Sequence, residues 1–569
     1  MKAPLYIPKN WNGVLIVGER PYPDDLKTGK IGPRPFKSSY GVELSECVKS
    51  KGHKLEECAL VYAYKEIPPR KKNKAPSLDH CFLTKKEGES TDTSSLYYGQ
   101  YITGKFKEYI TELLNDIDKI KPRVIIAMGK GALYALTGET KIDGFRGSML
   151  YHTTENNDRI GLVPTHSMDR MFKQYHLRWL ILHDLKRAFS YTSEGWNLEP
   201  EKFIIRPTYQ QAIETLEELQ ERANNGEHIA MDIETRLHRF ISCIGFAWSK
   251  SDAICIPLIR GGDAGFYWTI DEEVEIVSRI KSLLENKNVR ISGQNYHYDA
   301  QYIAFHWGVR SHIWLDTMIV QHCFFAQDMP KDLNTISSIY NDKHVYWKDE
   351  GKNHEPTLEG EEEYWIYNCK DCCRTWEAAE VMVKAIPSFE QEYPVRFQMR
   401  MWQHLLIVMC RGVRYDKENR DKQKSKVAKQ RRELACFMES LVPPSVWPRQ
   451  KTPFYNSPKQ LATLFYQVLG IKPVTKRQPN GTWAPTTKDE ALNILKIREP
   501  LIKPLCEALS SYRSLGVSLN TFLTPDPDIT DERMRSGYKL AGTATYRLAS
   551  AGDVFDYGLN LQNLSKGDE

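Results

Sequence analysis

The run IAMDIETRLHRFISCIGFAW, with Asp232 and Glu234 two residues apart inside an apolar, β-prone stretch, constrains this chain more than any other feature. Side chains alternate faces along a strand, so Asp232 and Glu234 point one way while Met231, Ile233 and Thr235 point the other. Two carboxylates on one side of a sheet repel each other unless a proton or a cation neutralises them. The pattern reads as half of a site for a hard metal ion, set against the plainer alternative of a solvated strand face.

Two later stretches decide between these alternatives. In VRISGQNYHYDAQYIAFHWG an apolar strand leads to Asn295, and Asp299 follows in the first turn of an expected helix. In EEEYWIYNCKDCCRTWEAAEVM, Tyr367 and Asp371 stand four apart on a strongly helical segment, which puts both on one face. The ordered set Asp-x-Glu, Asn-x-x-Tyr-Asp, Tyr-x-x-x-Asp resembles the three motifs of the DEDDy class of 3′-5′ exonucleases, as found in family A DNA polymerases. The intervening LDTMIVQHCFFAQDMPKDLNTI also resembles the polymerase-linked versions. Phosphodiester hydrolysis needs an activated water, neutralisation of the phosphoryl oxygens and help for the leaving oxygen, and two divalent ions roughly 4 Å apart supply all three. The resemblance implies a cage of Asp232, Glu234, Asp299 and Asp371 for two Mg2+ or Mn2+ ions, with Tyr367 orienting the water. It implies that Asn295 supports the ligands or touches DNA.

A chain of 569 residues should hold three or more domains, each able to bury its own core. There is no run of eighteen apolar residues, and MKAPLYIPKNW lacks a signal-peptide core, so a cytoplasmic protein without a membrane partner is expected. A net charge of +5 is modest for this length; any nucleic-acid surface must be local. Twelve cysteines at irregular spacing fit a reducing compartment. Cys369, Cys372 and Cys373 include a C-x-x-C spacing, but with no second ligand pair nearby they read as buried thiols packing a helix rather than a zinc site.

The first 195 residues alternate strands and helices: GVLIVGERPYPDD is a buried strand entering a Gly/Pro-rich turn, and KPRVIIAMGKGALYALTG is a strand followed by a helix. Gly18-Glu19 with Pro21, the Arg34-Pro35-Phe36 loop, IIAMGKGAL, the GFRG turn at Gly144 to Gly147, Pro164-Thr165-His166-Ser167 and HLRWLILHDLKRA resemble the uracil-DNA glycosylase superfamily, families 4 and 5. A base-excision site needs an aromatic wall, polar groups reading the base edge and a donor at the glycosidic bond. The resemblance implies that Phe36 stacks on the base, His166 lies beside it, and Glu19 shapes the catalytic loop. Where the family has an Asn that reads uracil, ALVYAYK places Tyr62, which would crowd a pyrimidine pocket and lacks the paired donor and acceptor. Cys47, Cys58 and Cys81 do not restore the family 4 cluster spacing, so no iron-sulfur cluster is expected. The domain either excises a base or binds DNA without cutting it.

SEGWNLEPEK reads as a connector, FIIRP as an edge strand and YQQAIETLEELQERANNG as an amphipathic helix ending at Gly226. From about Phe389 long helices take over, with FQMRMWQHLLIVMCRGVRYD stopping at Gly412. DKQKSKVAKQRRELACFMESL is helical and dense in Lys and Arg, either a solvated face or a phosphate-contacting one. YNSPKQLATLFYQVLGIKP, with Lys459 in its Ser-Pro-Lys-Gln opening, resembles the family A polymerase thumb; such a thumb grips duplex backbone, with salt-dependent affinity. GYKLAGTATYRLASAGDVFDYGLNLQN resembles the palm entrance: Thr543, Thr545, Arg547 and Leu548 match, Tyr546 replaces a Gly, and Asn560 to Asn563 give NLQN. Thr543, Arg547 and Gln562 are then expected to touch primer or template. The palm aspartates and fingers helix of a family A polymerase would lie beyond Glu569, so a split or truncated polymerase with a second chain carrying palm and fingers is expected.

The expected fold class is α/β multidomain: a uracil-DNA glycosylase-like α/β sandwich over 1–195, a ribonuclease H-like exonuclease domain over 203–387, a mainly helical thumb over 388–520 and an incomplete palm start over 521–569. The expected function is proofreading removal of 3′-terminal nucleotides from DNA, in a bacteriophage-type enzyme acting in the host cytoplasm. The alternatives are a uracil-removing repair enzyme and a non-catalytic DNA-binding scaffold for a separate polymerase subunit.

Overall fold

The sequence condenses around two sheets, each built from one of the apolar alternations described above. In this computed structural model the described residues are all except 28–32, 71–75, 91–100, 192–194, 197, 352–356, 478–482, 529, 556–557 and 564–569. The chain divides into one compact unit of Met1–His404 with Thr543–Arg547, and a second of Leu405–Gly542 with Leu548–Glu569.

The first sheet has five strands in the order Ala59–Tyr62, Val14–Gly18, Val124–Met128, Arg159–Thr165, Leu150–Thr153. The first four run parallel and the last antiparallel. Strands buried on both faces read as continuous apolar runs, and every residue of Val14–Gly18 and Val124–Met128 is buried. Helix Gly104–Ile120 lays Phe106, Tyr109, Ile110, Leu113 and Ile117 against this sheet at helical spacing.

The second sheet has six strands in the order Leu315–Asp316, Arg290–Gly293, His228–Arg236, Phe240–Ala247, Asp252–Pro257, Lys202–Ile204. His228–Arg236 pairs parallel with Arg290–Gly293 and antiparallel with Phe240–Ala247, so the Asp-x-Glu strand is internal. Helix Glu361–Ala385 crosses one face, packing Tyr364, Trp365, Cys369, Cys372 and Cys373 onto Ala230, Cys243, Ala247, Ala253 and Cys255. Gly245 makes this approach possible: a Cβ there would fall 2.2 Å from Asn368 Oδ1 and 2.8 Å from Cys372 Sγ.

The two sheet domains share one compact unit and a buried polar seam. Arg146 bonds Asp184 through two nitrogens and the Ser338 hydroxyl at 2.5 Å. Arg187 donates to the carbonyls of Gly147, Ser338 and Asn341 at 2.8–2.9 Å. Of the expected connector, Thr192–Glu194 and Asn197 lie outside the described residues. Trp196 packs back on Tyr191 with ring centroids 4.6 Å apart, and Glu201 pairs with Arg374 at 2.7 Å.

Helix Glu392–Arg411 begins in the first unit because Trp402, fully buried, stacks on His297 at 4.5 Å and accepts a hydrogen bond from its ring through the backbone carbonyl. In the second unit, helices Lys417–Leu441, Asp489–Arg498 and Lys503–Val517 enclose a core that includes Met438, Leu461, Phe465, Leu492, Leu495, Leu505 and Leu509. Gly412, at φ +60, ends helix Glu392–Arg411 where a Cβ would fall 2.8 Å from the Met534 carbonyl. Of helix Lys417–Leu441 only Arg420 and Met438 are fully buried.

Candidate functional site

Asp232 and Glu234 leave the internal strand on the side crossed by helix Glu361–Ala385, and one turn of that helix carries Tyr367 and Asp371. Carboxylate oxygens of Asp232, Glu234 and Asp371 lie within 4.8 Å of one another. Asn368 donates from Nδ2 to Asp232 Oδ2 at 3.2 Å, tying strand to helix. Burial, then the Asp371 charge, pushes Asp232 up to about 8. Burial, then Asp232, pushes Glu234 well above the usual carboxylate range. These shifts are what a carboxylate set shows when it has too little positive charge of its own, so the donor set fits a divalent cation.

Asp299 is the fourth expected ligand, and it is engaged differently. It sits in helix His297–Trp307 with Oδ1 accepting the Ile233 N–H at 2.9 Å, and burial, then Asp232, raises its pKa. It is next to Asp232 but outside the cluster of three. Asn295 is exposed at φ 56; its side chain makes none of the hydrogen bonds seen at this site, and its N–H donates to Asp316 at 3.2 Å. Asp316 also accepts from Tyr296, Met318 and Ile319, fixing the turn before helix His297–Trp307 to the start of helix Thr317–Phe325.

Two residues that touch the site are absent from the sequence motifs. Lys348 Nζ lies 2.5 Å from Asp371 Oδ2 and 3.1 Å from the Tyr367 hydroxyl, and Trp347 Nε1 donates to Asp371 Oδ1 at 2.5 Å. Burial lowers the Lys348 pKa, but Asp371, Asp232 and Glu234 outweigh it, and the net shift is upward. Burial, then Asp371, raises the Tyr367 hydroxyl, which stays protonated at neutral pH. Both residues come from an aperiodic loop, where neither helical nor strand spacing marks a functional side chain.

The first domain carries a cavity of about 660 Å3 whose lining includes Glu19, Arg20, Gly129, Asp143, His166 and Arg170. Glu19 Oε1 accepts the Gly131 N–H at 2.9 Å, and burial raises its pKa. His166 is buried, with Nε2 3.9 Å from Asp143 and Nδ1 without a partner. Burial, then Arg146 and Arg170, pushes its imidazole down to about 3, so it is neutral at pH 7.

Phe36 and Tyr62 are not among the residues lining this cavity. Their rings pack together, centroids 5.0 Å apart. The Tyr62 hydroxyl donates to Asp25 at 2.8 Å and accepts the Phe36 N–H at 3.0 Å, while Asp25 also takes the N–H groups of Lys37 and Ser38. Gly18 leaves room for the pair: a Cβ would fall 2.6 Å from Phe36 Cζ and 2.7 Å from Tyr62 Cε1.

Residues 6–198 match the uracil DNA glycosylase superfamily. This covers the five-stranded domain, which is called the glycosylase-like domain below. A solved structure described as the POL domain of Pol1 from M. smegmatis, in complex with DNA primer-template and dNTP, is similar with a TM-score of 0.48 and 17% identity. The alignment covers 64% of this chain and 56% of that one.

Of the residues expected to meet primer and template, Lys459 and Gln562 belong to the second unit and Thr543 and Arg547 to the first. Lys459 is exposed on helix Pro458–Thr463, which Ser457 caps by accepting the Gln460 N–H. Thr543 and Arg547 belong to the short segment that packs with the first unit, where the Thr543 carbonyl is 2.9 Å from His322 Nε2 and the Thr543 hydroxyl donates to the Arg547 carbonyl. Tyr546, at the position of the expected Gly, holds φ 58, the left-handed region that glycine favours. Its hydroxyl donates to the Cys323 carbonyl, which helps offset that backbone cost. Gln562 is exposed, and the segment after Asn563 lies outside the described residues.

Cys47, Cys58 and Cys81 are each buried in the glycosylase-like domain, and Cys369, Cys372 and Cys373 are buried under the second sheet. Among the described residues no helix is long and apolar enough to cross a membrane.

Proposed function

We propose that this chain is a DNA-processing enzyme whose carboxylate cluster hydrolyses 3′-terminal nucleotides, a proofreading 3′-5′ exonuclease within a family A-type, bacteriophage-type replication polymerase. The observation that carries this reading is the convergence of Asp232, Glu234 and Asp371 on one cluster with Tyr367 beside it, from a strand and a helix far apart in sequence. Mg2+ or Mn2+ held by these three residues, with Asp299 beside Asp232, would neutralise the phosphoryl oxygens and lower the pKa of the attacking water. The chain supplies the rest. Asp299 and Asn368 fix Asp232 and its strand, and Trp347 holds one oxygen of Asp371. The protonated Tyr367 hydroxyl is placed to orient water at the cluster. Exposed Lys422, Lys426, Lys429 and Arg432 on helix Lys417–Leu441, together with Lys459, supply cations for DNA phosphates.

The test is degradation of a 5′-labelled primer with a 3′ mismatch. Stepwise shortening from the 3′ end that requires Mg2+ or Mn2+ and is lost in Asp232→Ala is expected. Folded protein that binds the DNA and leaves it intact with every metal would remove this reading and favour a non-catalytic scaffold.

A second reading, base excision, is supported by the superfamily match and by a neutral His166 in a cavity of suitable size. It predicts EDTA-insensitive release of free uracil, lost in His166→Ala and retained in Asp232→Ala. The Tyr62–Phe36 pair weighs against it, because the aromatic wall that would meet the base is turned onto a neighbouring ring.

A further inference from the structure

Lys348 reaches Asp371 from a loop that the glycosylase-like domain holds in place. Met149 N–H donates to the His344 carbonyl at 2.8 Å, and the Tyr346 N–H donates to the Ser148 hydroxyl at 3.1 Å. The Tyr346 ring packs on Phe145 at 4.6 Å, and a Cβ at Gly144 would fall 2.9 Å from it. Lys141 pairs with Asp349 at 2.7 Å, and Asp349 also accepts the Tyr346 hydroxyl at 2.8 Å. From the side of the second sheet, the Ser337 hydroxyl is 3.1 Å from His344 Nδ1. The residues between these anchors, Trp347 and Lys348, are the two that touch Asp371.

We propose that Lys348 is the resident counter-cation of the carboxylate cluster, presented by a strap that the glycosylase-like domain clamps, so that a divalent ion gains Asp371 only by displacing this ammonium. The inference rests on the nuclease reading of the cluster. Its physical basis is competition: Asp371 Oδ1 already accepts the Trp347 indole N–H and Oδ2 the ammonium, so a cation must compete with both donors for the electron density of this carboxylate while the strap is seated. An ammonium at 2.5 Å also lies close enough to oppose a second cation by direct repulsion. The glycosylase-like domain thereby becomes a positioning element of the neighbouring site. Lys141, which pairs with the strap through Asp349, also lines the 660 Å3 cavity, so one residue of the clamp faces both.

The experiment is a Mn2+ titration of the full-length, DNA-free protein, reading unbound Mn2+ by electron paramagnetic resonance, with folding checked by circular dichroism. Lys348→Met should bind Mn2+ at least tenfold more tightly than wild type, while Lys348→Arg, which keeps the charge, should stay within about threefold. The clamp variant Lys141→Met with Phe145→Ala, which touches no carboxylate of the cluster, should tighten binding severalfold. Unchanged or weaker binding by folded Lys348→Met overturns the proposal. Should that variant fail to fold, unchanged binding by the clamp variant overturns it. Asp232→Ala separates the two levels of argument. If it binds Mn2+ as wild type does, the nuclease reading falls as well; if it loses Mn2+ while Lys348→Met changes nothing, only this inference falls.

Discussion

The two candidate sites of the first unit differ in how the chain fills them. In the glycosylase-like domain the buried Tyr62 ring packs against the half-buried ring of Phe36, the residue expected to stack on a base, and is fixed by Asp25. In the second domain the Lys348 ammonium, held by charge on a side chain that remains about a quarter exposed, sits against the carboxylates proposed to bind a cation. A buried aromatic ring leaves only if part of the core opens, whereas an ammonium exchanges with any better cation that reaches the carboxylates. The first contact is part of the packing; the second is a competition that concentration can reverse.

The largest effect that would break this comparison is catalytic. If the carboxylate cluster is the working site, Asp371→Ala should lower the rate of 3′ shortening on the order of 10³-fold, measured in single-turnover reactions with Mg2+, since it deletes an electrostatic partner of the transition state. Uracil release should be absent in wild type and unchanged in this variant. If instead uracil is released and shortening is untouched, the roles assigned to the two sites are reversed.

Next comes stability. Truncating a fully buried aromatic typically costs about 3–5 kcal/mol, so Tyr62→Ala should move the first urea transition of the full chain strongly downward. Tyr62→Phe keeps the ring but removes one of the donors to Asp25 and leaves the Phe36 N–H without its acceptor, and should cost about 1–3 kcal/mol. A Tyr62→Phe variant as stable as wild type would mean that the hydrogen bonds do not hold the ring pair. Across the molecule, Gly245→Ala tests the cluster from behind: the added methyl meets Asn368 and Cys372, and overpacking of this kind costs about 1–3 kcal/mol. Because Asn368 also holds Asp232, shortening activity should fall with stability.

What the sequence made legible follows the same physical division. The apolar runs of Val14–Gly18, Val124–Met128 and His228–Arg236 carry their burial in their composition, and helix Glu361–Ala385 carries Tyr367 and Asp371 at a spacing that places them on one face. Tyr62 stood out as the wrong shape for a base pocket, but nothing local shows that Asp25, thirty-seven residues away, holds it. Arg146 and Arg187 look like any surface arginine in a sequence, because the carbonyls and hydroxyls they satisfy arrive from Gly147, Ser338 and Asn341. That seam makes the first two expected domains one unit. Lys348 is harder still: it lies in a loop, and its role depends on which way a strap is held by another domain. Trp402 reads as one more apolar position of a long helix, and nothing near it in the sequence shows that it stacks on His297.

The last expected effect concerns pH and the cost of keeping the cluster charged. Asp232 is raised to about 8, above the value near 4 of a free aspartate, by burial and then by Asp371. Below pH 4 the residue is protonated whether the chain is folded or not, and it has no effect on the balance. Between about 4 and 8 the unfolded chain gives up this proton and the folded one keeps it, so stability falls as pH rises through that window and levels off above it. Asp232→Asn removes the titration while keeping the shape. In EDTA its melting temperature should match wild type near pH 4, exceed it increasingly toward pH 8, and then stop diverging. Saturating Mn2+ should erase the difference or invert it, because the cation stabilises only the protein that retains the carboxylate. A constant offset across the whole range would show that Asp232 is already neutralised, with the Lys348 ammonium carrying that charge balance by itself.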